Sequence, residues 1–192
     1  MNLSKFSFRF LRDNKAIAAI EFALIAPILL ALFLGGFELT RYVLIYQKIS
    51  KTTSSMSDLI SRSPELYEAD IANSFNAVQH LMAPYYTAAN VKVIISSVMD
   101  DGTGNYVNWQ RCGGGTLSVQ SSLGKQATYI TLPTGFDLGT NEDTIIAEIF
   151  FQYQSVVGLK FTTNGIIRKV RFNKPRLGAL TLIKDNKGAT GC

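Results

Sequence analysis

The chain has 192 residues, with 19 basic and 14 acidic side chains, one histidine, two cysteines and a formal charge of +5. Its first fifteen residues hold four of the basic side chains (Lys5, Arg9, Arg12, Lys15) and one acidic one (Asp13), so the remainder carries 15 against 13. That balance excludes a nucleic-acid footprint on charge alone, and two isolated cysteines with one histidine lack the spacing of a zinc site.

Residues 16–37 read AIAAIEFALIAPILLALFLGGF, apolar throughout except for Glu21. As a helix this run spans roughly 33 Å, enough to cross the hydrocarbon of a bilayer. It is too long for the apolar region of a cleaved secretory signal, and no A-x-A-like site follows it. Pro27 lies inside it, as membrane helices tolerate. The reading is a single-pass anchor, and the preceding Lys/Arg excess favours a cytoplasmic N-terminus with everything after about residue 38 outside the cytoplasm.

The helix is predicted to continue. No Gly or Pro interrupts residues 38–63, and Leu39, Tyr42, Val43, Tyr46, Ile49 and Met56 recur at helical spacing. Gly35-Gly36 and the Thr/Ser cluster at residues 52–55 lower helix propensity and are candidate bends. A second helix is expected to open with Ser63 as N-cap and Pro64 at its first position. Its stripe is Ile71, Phe75, Val78 and Met82, and Pro84 ends it.

Beyond residue 90 the pattern becomes that of strands. VKVIISSVM, a DDGTGN turn and YVNWQR read as a hairpin, then CGGGTLSVQSSLG as a loop. ATYITL, DTIIAEIFFQYQSV and IIRKVRF read as further strands, with ALTLI a possible last one. The expected fold class is α+β: a long N-terminal transmembrane and stem helix, a short second helix, and a mainly antiparallel sheet covered on one face by the helices. The expected organisation is a basic leader over 1–16, the membrane and stem helix over 17–63, and an extracytoplasmic α+β domain over 64–192.

Chemistry-bearing patterns are sparse. No G-x-S-x-G, Walker A or H-E-x-x-H motif is present, so neither catalysis nor a cofactor or metal is expected. His80 reads as a polar helix residue, and the glycines at 113–115 as a flexible loop. Asp100, Asp101 and Asn105 read as a hairpin turn before a calcium site. The run Arg168, Lys169, Arg171, Lys174, Arg176 reads as a charged strand edge, with docking to an acidic partner as the alternative. Cys112 and Cys192 allow one intrachain pairing. In an oxidising compartment that disulfide is expected, stabilising the fold by about 4 kcal/mol on a chain-entropy account.

Glu21 stands out, because an intramembrane carboxylate is by default functional with a partner to be named. The bland reading is a glutamate near enough to the interface to reach water. The segment KAIAAIEFALIAPILLALFLGGFELTR, with its short basic leader, small apolar residues, Glu-Phe and early proline, resembles the N-terminus of TadE/TadF-type pseudopilins of the tight-adherence (Tad, Flp-type) pilus. RSPEL and KPRLGALTLI share that flavour more loosely.

The resemblance implies cutting by a prepilin peptidase between Ala16 and Ile17, which makes Glu21 the fifth residue of the mature chain and Phe22 the sixth. The family has glycine before the cut where this chain has Ala16. It further implies that Glu21 pairs with the terminal ammonium of a neighbouring subunit. It also implies a minor pilin or pseudopilin that primes or caps an adhesive filament. Its partners would be the inner membrane, other pilins, the peptidase and the assembly platform, not nucleic acid. The major pilin is little more than the apolar helix, and TadG-like members carry a longer additional domain. A single-pass anchored periplasmic binding or sensor domain is the rival reading, and an anchored periplasmic enzyme the third.

Overall fold

The computed structural model describes residues 14–156, 158, 165–185 and 192. The expected leader therefore lies outside the described residues up to position 13. Helix α1, Asn14–Ser61, runs through Pro27, Gly35-Gly36 and the Thr/Ser cluster without a break. Backbone contacts divide the chain into two units, one holding residues up to 43 with 155–163, the other holding 44–154 with 164–192.

In the first unit, α1 presents apolar side chains all round. Phe22, Leu24, Leu32 and Phe33 are each exposed by about 70%. An 18-residue window with a mean hydropathy of 2.6 has no buried share. A helix apolar on every side has no stripe to bury against a core and needs an apolar solvent instead.

In the second unit α1 buries a single stripe: Ile45, Ile49, Thr52, Thr53, Met56, Ser57 and Ile60. The stripe lies one residue from the expected one at Tyr46, whose ring is exposed, and Thr52 within it reaches the Met82 sulfur at 3.5 Å while other hydroxyls bond the preceding turn. Thr53 donates to the Ile49 carbonyl at 2.7 Å and Ser54 to that of Ser50 at 3.0 Å. Back-bonding of this kind lets Thr and Ser sit in a buried helix face despite weak propensity.

Helix α2 spans Glu68–Met82 and buries Ile71, Ser74, Val78 and Met82, with Phe75 half-buried. It starts four residues later than its Ser63-Pro64 signal. Residues 62–67 instead form a connection that buries Leu66, and the helix is capped from elsewhere. Asp70 accepts the Tyr67 N–H at 3.1 Å, and Asp185 accepts that of Glu68 at 2.7 Å. A distant aspartate therefore does the work expected of Ser63.

The sheet comprises β1 (Val91–Asp100), β2 (Asn105–Gly113), β3 (Tyr129–Ile130), β4 (Asp143–Tyr153) and β5 (Gly165–Asn173) in the order β3-β2-β1-β4-β5. All pairs are antiparallel, with Ile95 opposite Ala147 and Ala147 opposite Arg171. The predicted fold class is the observed one. ATYITL yields only the two residues of β3, and ALTLI forms no strand. The latter runs irregularly, because side chains rather than a ladder hold Leu180: its carbonyl accepts the Trp109 indole N–H at 2.8 Å and its N–H donates to Asp143 at 2.6 Å. Burial pushes the Asp143 carboxyl above its ordinary range, against the lowering effect of that bond.

One sheet face receives the helices, through Lys169 with Tyr46, Arg171 with Ser54 and Arg111 with Glu68. The glycine run has a packing reason: a Cβ on Gly113 would meet the Phe75 ring at 2.3 Å, and one on Gly115 the Val91 carbonyl at 2.2 Å. The other face is also covered, contrary to the one-sided expectation. Leu123, Ile130, Leu132, Phe136 and Leu138 of the long β2–β4 connection pack on Val98, Val107, Ile146, Val170 and Phe172.

Cys112 and Cys192 form a disulfide with Cα atoms 5.5 Å apart, closing a separation of 80 residues. For a loop of this length the chain-entropy account gives about 4 kcal/mol. The Cys112→Ser/Cys192→Ser double variant is expected to fold with a lower denaturant midpoint. Peptide mapping without reductant should recover the linked pair from wild type; free thiols after alkylation at lysis would reject it.

Candidate functional site

The residues that carry the functional reading lie on the first helical turns of α1. Ile17 and Glu21 are four residues apart, one turn along the helix, and both are exposed, as is Phe22. Nothing is described of the Ala16 side chain. Among the described residues of this turn Glu21 is the sole ionisable one within a run of apolar neighbours, so its charge faces whatever surrounds the helix.

A second carboxylate follows at the far end of the apolar run. Glu38 is 2% exposed, accepts the Val156 N–H at 3.3 Å and faces Arg41 at 3.8 Å. Sequence reasoning passed over it. The available signal was the Glu-x-x-Arg spacing immediately after Phe37, which sets two opposite charges on one helix face.

The basic run of β5 is engaged within the chain. Arg168 reaches across to Glu148 at 2.7 Å, Lys169 lies 3.8 Å over the Tyr46 ring, and Arg171 donates to Ser54 at 3.1 Å. Lys174 pairs with Glu142 at 2.5 Å and Arg176 with Asp58 at 3.0 Å. Lys174, with a backbone N–H from Gly139, holds the Glu142 carboxyl below its usual range. Alternation along the strand sends these cations to both faces, so they fasten the helix on one side and the long connection on the other.

The most enclosed of these groups is Glu148, fully buried and bonded by Arg168, Ser121 and Ser122. Two serines beside a carboxylate could be taken for a nucleophile and its base. Here the carboxylate is neutralised by a guanidinium and no histidine joins the group, so it is a structural knot. The remaining candidates resolve similarly. Asp101 accepts N–H bonds from Thr103 and Gly104 and the Tyr129 hydroxyl, which holds its carboxyl below the ordinary range. Asp100 accepts from Gly102, so the pair shapes the β1–β2 turn. His80 is exposed beside Gln79 at 3.3 Å. Among the described residues no cluster of three or more His, Cys, Asp or Glu side chains could hold a metal ion.

A long apolar N-terminal helix, a second helix and an antiparallel sheet together make an α+β, pilin-like protein. The family model described as TadE-like protein matches residues 16–55, and over that stretch the chain is similar to that family. Neither a curated protein nor a solved structure matches the chain.

The Glu148 knot yields a stability prediction. Arg168→Met leaves a buried carboxylate with two hydroxyl donors, which is expected to cost toward the low end of about 3–5 kcal/mol because Arg168 is itself partly exposed. The Arg168→Met/Glu148→Gln double variant should recover part of that loss. Urea unfolding in detergent measures both, and an unchanged midpoint for Arg168→Met would reject the assignment.

Proposed function

We propose that the chain is a minor pilin or pseudopilin of a Tad/Flp-type pilus, anchored in the inner membrane by α1 and taking part in priming or capping the filament. The observation that carries this reading is the TadE-like match over residues 16–55, on a helix whose exposed apolar surface is interrupted near its start by Glu21. The basic residues before the helix support a cytoplasmic N-terminus. The Cys112–Cys192 disulfide supports a periplasmic location for the sheet, since disulfides persist in oxidising compartments.

In this reading the prepilin peptidase cuts between Ala16 and Ile17. Ile17 then carries an α-ammonium in the same low-dielectric layer as Glu21, about 6 Å along the axis. Each charge is costly alone in that layer; paired between subunits, they favour one stagger of neighbouring helices. Phe22, next to Glu21, supplies apolar contact area to the adjoining helix. Chemistry is left to the peptidase and the assembly platform; this chain contributes a surface and a register.

Processing is tested by intact mass. Membranes of cells with the peptidase should yield a chain starting at Ile17, and membranes without it the full-length chain. The same full-length mass in both would sink the cleavage and leave the anchor standing.

Pairing is tested on Glu21. Glu21→Ala and Glu21→Gln should both insert and be cut, yet fail to assemble, because neither offsets a neighbour's ammonium. Losing one partner of a buried pair costs about 3–5 kcal/mol, a hundredfold or more in association. Co-purification with the other pilins and counts of surface filaments read the loss. Assembly at the wild-type level by both variants would leave Glu21 as a solvated residue and remove the pairing.

A further inference from the structure

The apolar run of α1 ends at Phe37, and the next side chain, Glu38, is enclosed where the β4–β5 connection meets the helix. The Val156 N–H of that connection donates to the Glu38 carboxylate at 3.3 Å. If the run spans the hydrocarbon, this junction falls at its C-terminal boundary, because roughly 33 Å of helix has by then been used.

The junction is apolar on its outside. Val156 is 66% exposed, and Phe37, Leu39 and Val43 on the helix are exposed as well. Residues 156–161 read VVGLKF, five uncharged residues with one lysine. Connections that face water are ordinarily built from polar turn formers. An apolar sequence with a single cation instead has the composition of an interfacial segment, and Val156 within it is held beside the end of the apolar run.

We infer that Val156 is a second lipid contact, seated in the bilayer interface and pinned to α1 by Glu38. This rests on the anchor reading of α1. Enclosing Glu38 is costly unless its oxygens are bonded, and the Val156 N–H with Arg41 supplies that compensation. The carboxylate thereby fixes the connection at one level of the helix. The helix then meets lipid through the run up to Phe37, and the connection through Val156.

The test uses the full chain in phospholipid nanodiscs, with tryptophan introduced at one position and the buried native Trp109 measured on wild type as background. Val156→Trp should give blue-shifted added emission, lost to lipid spin-labelled near the headgroup and resistant to aqueous iodide. Phe33→Trp reports the anchor and should be lost to lipid labelled deep in the chain. If Phe33→Trp responds so while Val156→Trp is quenched by iodide, the lipid contact is overturned and the anchor stands. If Val156→Trp resists both quenchers, a protein neighbour covers it and the lipid contact is equally overturned. If Phe33→Trp itself is quenched by iodide, the anchor reading and this inference fall together. Adding Glu38→Leu to Val156→Trp should move the added emission from shallow-label to iodide quenching; unchanged quenching would remove Glu38 as the pin.

Discussion

One helix, α1, carries two surface chemistries along a single length. Over its first half α1 exposes apolar side chains on every side, and over its second half it buries only one stripe. Helical hydrogen bonding meets the backbone's polar groups within the segment, which is the condition for crossing a bilayer, and Pro27, with no N–H, gives up one such bond. What changes along the helix is side-chain chemistry. Leu, Ile and Phe dominate up to residue 37; from residue 45 isoleucine alternates with threonine and serine that bond their own backbone.

The second unit is organised by ionic fastenings at the edge of its sheet. Antiparallel alternation divides the cations of β5, so that Lys169 and Arg171 hold α1 while Arg168 reaches Glu148 beneath the long connection. Two charges buried together contribute little net stability compared with apolar packing. Their effect is directional: a connection that offers Ser121 and Ser122 to Glu148 can settle in one position, whereas greasy contact alone would leave it several. The C-terminal segment is placed the same way, by Trp109, Asp143 and the Asp185 cap on α2.

Periodicity made the long elements readable. The apolar run, the stripe of α2 and the strands β1, β2, β4 and β5 each rest on a pattern of several residues, and each is where the sequence put it to within a few positions. The misses share a cause, in that a distant partner overrode a local signal. Ser63-Pro64 is a good helix start, but the helix opens at Glu68 where Asp185 can cap it. ALTLI has strand composition, yet Leu180 is committed to Trp109 and Asp143. The glycines at 113–115 looked like slack and are instead close-packing sites, visible only once Phe75 and Val91 are in position. Glu21 was legible because it interrupts an apolar run, while Glu38, just past the end of that run, interrupts nothing.

Glu148, Glu38 and Glu21 sit among apolar surroundings, and their charges are met differently. Glu148 has a guanidinium and two hydroxyls within its own unit, so its charge is settled on folding. Glu38 is compensated by a backbone N–H from a connection 118 residues away and by the arginine one turn on, so its charge is settled by joining two parts of the same chain. Glu21 is exposed, on a surface of exposed apolar side chains. Alanine in place of Glu21 would insert into hydrocarbon more readily. Under the proposed pairing, Glu21 in the helical turn after Ile17 is a charge whose partner arrives only with the next subunit.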